Sequence, residues 1–148
     1  MIEQEVTKFI NSLQSSVTGV NFKPLYQEIG EIILSSIAAN FRVGGRYSIG
    51  PDGEPTGGNW KWPISGRAEK QSGQTLVDTR QLASSITADV TEFGLTIGTN
   101  KVYAAIHQYG GTASETTLPP RPFLVIQEED FEEIQDAASD FYTRILSR

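Results

Sequence analysis

Residues 97–124, IGTNKVYAAIHQYGGTASETTLPPRPFL, decide how the rest of this 148-residue chain is read. Ile97 closes an alternating stretch. Val102, Ala105, Ile106 and Tyr109 then fall at helical spacing, which predicts about two turns of helix that stop at Gly110-Gly111. The SETTLPPRPF segment follows as a loop. Pro119, Pro120 and Pro122 fix φ and disfavour helix at the residue before each, so the loop should be stiff and extended. FLVIQ, residues 123–127, is then expected to add a last short strand to a sheet.

Upstream, Ile86, Ala88 and Val90 alternate with polar residues, and so do Phe93, Leu95 and Ile97. Residues 85–91 and 93–99 therefore read as an antiparallel hairpin, although its turn has no Asn-Gly or Asp-Gly pair. TLVDT, from Thr75, reads as a short extended piece, with Asp78 or Thr79 capping a helical turn across RQLASS. Near the N-terminus, Ile2, Val6, Phe9, Ile10 and Leu13 mark an amphipathic helix over 2–15. Pro24 suits the first turn of a second helix. Leu25, Ile29, Ile32, Ile33 and Ile37 form its stripe, to about Phe41. Past Glu128, the residues Phe131, Ile134, Ala138, Phe141, Tyr142 and Ile145 predict a closing helix, with acids early and Arg144 and Arg148 late, as the macrodipole favours. The order of elements implies an α+β fold: a small antiparallel sheet packed by N-terminal and C-terminal helices. One domain over 1–148 is expected.

Between Val43 and Gly73 the periodicity collapses. Eight glycines and three prolines fall in those 31 residues, which marks an arm within the domain. It carries both tryptophans, Trp60 and Trp62. They either fold back onto the chain's own core or dock into a neighbouring copy, and the sequence leaves both readings open.

With 38% hydrophobic and 20% charged residues the chain can bury a modest core. No run approaches the roughly 18–20 apolar residues that span a bilayer, and the acidic, periodic N-terminus does not resemble a signal peptide. A soluble protein used inside a cell, without a membrane partner, is expected. The net charge of −6 argues against a specific nucleic-acid partner. Seven of the eighteen acids crowd into residues 128–140, whereas residues 42–80 carry six bases against four acids. The two regions either meet across a subunit boundary or are separately solvated.

No chemistry is prominent. The absence of cysteine removes thiolate metal sites, disulfides and a cysteine nucleophile. His107 is the one histidine, with no Gly-x-Ser-x-Gly elbow in the chain and no carboxylate close to it in sequence. The glycines do not space as a phosphate loop, and Asp52-Gly53-Glu54 lacks the remaining ligands of a calcium loop. No catalytic residue, cofactor or metal is therefore expected, and His107 reads as a half-buried histidine or an interface residue.

Several of these stretches resemble the virion-morphogenesis or tail-completion proteins of Mu-like phages, the family of the Mu-like G protein. IGT-x-x-x-YA-x-x-HQ-x-GG (Ile97 to Gly111) followed by Pro120, Arg121, Pro122 and Phe123 carries the likeness. So does GRYSIGPDGEPTGGNWKWPI. TLVDTRQLASSI matches the family pattern at Leu76, Asp78, Thr79, Leu82, Ser85 and Ile86, but Arg80 stands where the family usually has glycine. Together these cover residues 41–125. The resemblance implies a structural component of the virion tail or neck, assembled in the host cytoplasm. It implies a homo-oligomeric ring, a hexamer or dodecamer, meeting tail terminator, tail tube or neck connector proteins, and a head-side connector or adaptor is the nearest alternative. Trp60, Trp62, His107, Tyr109, Arg121 and Phe123 are the candidate contact residues. From another class stands a monomeric binding module that uses PPRPF or the tryptophan loop.

Overall fold

The computed structural model describes residues 2–16, 19–45, 48–49, 55–57, 62, 81–113 and 115–147, and over these the chain is α+β. Helices α1 (Ile2–Ser16), α2 (Lys23–Val43) and α5 (Glu128–Leu146) supply most of the core. Between α2 and α5 in sequence come β1 (Ser48–Ile49), β2 (Pro55–Gly57), the single turn α3 (Gln81–Ser84), β3 (Thr87–Thr91), β4 (Gly94–Gly98), the short α4 (Ala104–Tyr109), β5 (Gly111–Ala113) and β6 (Thr116–Leu118). Among the described residues the strands form three separate two-stranded antiparallel ribbons, β1–β2, β3–β4 and β5–β6.

Helix α2 is the spine. Its stripe of Leu25, Tyr26, Ile29, Ile33 and Ile37 is buried, and it lies between α5 and the β3–β4 hairpin. Pro24 sits in its first turn, where a missing N–H costs nothing, and Gly44 ends it in the left-handed conformation (φ 75°). Gly30, at mid-helix, lets the hairpin approach closely: a Cβ there would lie 3.3 Å from Leu95 Cδ1. On the other side α5 closes the core through Ile134, Ala137, Ala138 and Phe141, and the Phe141 ring sits 5.7 Å from that of Phe22. Helix α1 is tied to α5 by the Tyr142 hydroxyl, which donates to Leu13 O at 2.8 Å.

The β3–β4 hairpin falls where alternation places it, with Ala88 opposite Ile97 and Val90 opposite Leu95. Its two-residue turn, Glu92-Phe93, is built without glycine: Thr91 Oγ1 accepts the Phe93 N–H at 3.1 Å, a local side-chain substitute for turn-residue chemistry. Phe93 therefore belongs to the turn and is exposed, not part of the inward row.

Two expectations do not hold. The polar loop after Gly111 contains the β5–β6 ribbon, turned at Glu115, which takes a left-handed φ of 63°. Residues 123–127 are not a strand. Backbone groups of Phe123, Leu124 and Gln127 are taken by side chains instead of by a neighbouring strand. The extended reading of TLVDT and the cap at Asp78 or Thr79 lie outside the described residues. Among the described residues no helix is long and apolar enough to cross a membrane.

Candidate functional site

Four of the residues that the sequence singles out, Trp62, His107, Arg121 and Phe123, come together at the Pro-Arg-Pro-Phe segment, and what holds them there is a backbone clamp. Gln108, on the inward face of α4, reads this segment as a strand would. Its Oε1 accepts the N–H groups of Phe123 and Leu124, both at 3.0 Å, and its Nε2 donates to Leu124 O at 3.1 Å. The Arg121 N–H donates to His107 O at 2.7 Å. From α2, Asn40 Nδ2 donates to Phe123 O at 3.1 Å, and Trp62 Nε1 donates to Pro122 O at 2.9 Å. Four consecutive residues, 121–124, are thus held by groups from three separated parts of the chain. Buried backbone groups need partners, and these side chains supply them where no sheet reaches.

The clamp continues into the start of α5. Asp130 accepts the Gln127 N–H at 2.8 Å and the Ser36 hydroxyl at 2.6 Å, and Gln127 Nε2 donates to Asn40 Oδ1 at 3.4 Å. One of the seven clustered acids is therefore a buried cap that bridges α5 to α2.

Trp62 packs on the body of the domain. That residue is 5% exposed, its ring stands edge-on to Phe41 at 5.6 Å, and its backbone N–H donates to Gly44 O at 2.6 Å. Phe41 in turn packs on Phe123, centroids 5.4 Å apart, and Phe123 is fully buried. Of the two readings of the tryptophans, Trp62 takes the one in which the ring joins its own core. Trp60 lies outside the described residues. Arg121 is 4% exposed, and burial pushes its guanidinium below its ordinary value while leaving it charged.

His107 is half-buried, and its Nδ1 is sealed without a hydrogen-bond partner among the described residues. Burial, and then the charge of Arg121, hold the imidazole below its usual pKa of 6.5, so it is neutral at neutral pH. The Tyr103 ring meets it edge-on at 6.0 Å. Among the described residues no three His, Asp or Glu side chains gather as metal ligands.

Tyr109 has the opposite placement. It is 79% exposed, Val102 is 96% exposed, and Ala105 between them is also open to solvent. Three of the four residues whose spacing predicts this helix thus face outward, whereas Ile106 is half-buried and Ala104 is buried. A second apolar surface is an open groove with a cavity volume of about 430 Å³, lined by α1, α2, β4 and residues 124–126.

Gln108 and Asn40, the centre of the clamp, were not among the candidates. Neither belongs to a spacing pattern, because each matters only through a backbone segment 15 or more residues away. Gln108 had one signal: a polar residue beside His107 on a helix whose apolar stripe runs elsewhere.

The model of the phage virion morphogenesis family matches residues 2–141. The "Mu-like prophage FluMu G protein 2" of Haemophilus influenzae is 32% identical over 146 residues, covering 97% of this chain and 93% of that protein. The "Putative capsid assembly protein G" of Escherichia phage Mu is 37% identical over 92 residues, covering 55% of this chain and 59% of that one. No solved structure matches. A match from the first turn of α1 to the buried Phe141, with a relative aligned over nearly its whole length, makes this chain a member of the phage virion morphogenesis family.

Proposed function

We propose that this chain is a structural component of the tail end or neck of a phage virion, and that it joins its neighbours in a closed ring through protein–protein contacts alone. The observation that carries the reading is the outward stripe on α4. A monomer gains nothing by presenting Val102 and Tyr109 almost fully to water beside a rigidly clamped segment, whereas an assembling subunit does. The clamp supplies the stiffness such a surface needs, since a contact made by ordered groups loses less entropy on binding. The sole histidine, neutral and turned inward at Nδ1, is here a packing residue, and the chain works without catalysis.

The whole chain acts as one domain. The 43–73 arm contributes to subunit contacts on the far side of its anchor at Trp62. Removing residues 46–58 while keeping Trp62 should leave a folded subunit with weakened assembly. A deletion that assembles as the full chain does removes the arm from the interface.

The test of the main reading is mass, by native mass spectrometry or light scattering, of the purified chain alone and with tail or neck proteins. A closed oligomer, alone or on such a partner, is expected. A chain that stays monomeric with every virion protein overturns the reading. A head-side connector or adaptor is the second reading, favoured by the words "capsid assembly" in the description of the Mu relative. Binding to head and portal proteins, without binding to tail proteins, would select it.

A further inference from the structure

Two apolar surfaces remain unexplained by the fold, and they differ in charge. The groove is lined by Val6 and Ile10 of α1, Ile33 and Ile37 of α2, and Leu95 and Ile97 of β4. Its volume of about 430 Å³ falls within the roughly 300–1,000 Å³ of sites that hold ligand-sized groups. Phe93 lines its mouth and is 82% exposed. Among the described lining residues Glu3 alone is charged, and the exposed Glu92 is next to the lining residue Phe93 in the turn. The α4 stripe is the converse. Val102 follows Lys101, and no acid occurs in the sequence between Glu92 and Glu115. On a chain of net charge −6 this is a locally basic apolar edge.

Resting on the ring reading above, we propose that the groove of one copy receives the Val102–Tyr109 stripe of the next, with Lys101 of the incoming copy facing Glu3 and Glu92. A chain cannot fill its own groove this way, because its own Val102 is 96% exposed. The stripe is short: the six residues of α4 rise about 9 Å, a length suited to a groove bounded by two helices and one hairpin. The basic-edged knob and a hole with Glu3 in its lining are complementary, so two acidic chains meet where their repulsion is least. Knob and hole lie on different elements, so the contact is head-to-tail, and repetition of it closes a ring when the rotation between subunits allows.

The absence of cysteine makes a direct test possible. Chains carrying Val102→Cys and chains carrying Thr7→Cys, a residue that lines the groove, are mixed under mild oxidation. The disulfide-linked mixed dimer is expected well above the 2:1:1 ratio of mixed to like pairs that random pairing of equal amounts gives. A random ratio overturns the proposal. Independently, Lys101→Glu should weaken association by about two- to fivefold, and Glu3→Lys in the same chain should restore it, since exposed pairs are worth roughly 0.2–1 kcal/mol. If the wild-type chain forms rings and Val102→Asp, Lys101→Glu and the mixed cysteines all leave them unchanged, this interface is wrong and the ring reading stands. Mixed dimers that grow into open fibres sustain the interface and overturn the ring. A chain that neither crosslinks nor associates overturns both.

Discussion

Helices α2 and α4 are both amphipathic, yet they are mounted in opposite senses. Helix α2 turns its isoleucines inward and its charges outward, as burial of apolar surface requires. Helix α4 turns Gln108, the sealed nitrogen of His107 and the small Ala104 inward, and leaves Ala105 and Tyr109, with Val102 just before it, in water. The inversion costs burial energy, so it is stable only because the inward polar groups find partners and the helix is short. The difference teaches that in this chain hydrophobic spacing has two uses. On long helices it builds the core, and on the short one it builds a surface.

The comparison can be broken where the clamp meets the core. Trp62→Ala should cost about 3–5 kcal/mol by thermal or denaturant unfolding, because it opens a cavity against Phe41 and orphans Pro122 O. Trp62→Phe should recover much of the packing but not the hydrogen bond. If Trp62→Ala costs under about 1 kcal/mol, the ring is not core and the arm is not anchored there.

Next in size is the inward face of α4. Gln108→Ala removes three hydrogen bonds to Phe123 and Leu124 and should cost roughly 2–4 kcal/mol. Gln108→Glu sharpens the point: the carboxylate still accepts the two N–H groups but repels Leu124 O. It should fall between wild type and alanine near neutral pH. Equal stability of all three would mean that the polar inward face has no structural role.

A smaller effect should follow acid. The folded-state pKa of His107 lies below its unfolded value of about 6.5, so in that window the unfolded chain binds more protons. The contribution of neutral His107 is therefore complete above about 6.5 and is lost as pH falls toward the lower, folded pKa. His107→Gln should flatten this part of the stability profile, measured as midpoint against pH in paired titrations. An unchanged profile would show that burial and Arg121 do not govern the imidazole.

The smallest stability effect is expected on the outward face. Val102→Asp should leave the unfolding midpoint within about 0.5 kcal/mol of wild type while assembly is lost. A large loss of stability would place Val102 in the fold and erase the contrast between the two helices.

Much of the architecture was legible because it follows from long periodic runs. Three helices of 15 to 21 residues repeat their apolar spacing enough times to be unambiguous. The β3–β4 hairpin shows in five-residue alternation even without a turn signature. Short segments were less legible. Six residues of α4 locate a helix but do not say which face is buried, and residues 123–127 have the composition of a strand with no strand to pair. Of the candidate contact residues, Phe123 and Trp62 are buried in the chain's own core, and an anchor to the core and an anchor to a neighbour look the same in sequence.

The amino-acid sequence by itself determined the α+β class, the helical spine, the hairpin and the family, because each rests on local periodicity or on motif order. Only the tertiary structure decided that Trp62 closes onto Pro122, that Gln108 stands in for a strand, that Asp130 caps α5 from within the core, and that the α4 stripe faces water. Those outcomes depend on pairings between residues up to 94 apart, such as Ser36 with Asp130, and no local pattern encodes a partner at that distance.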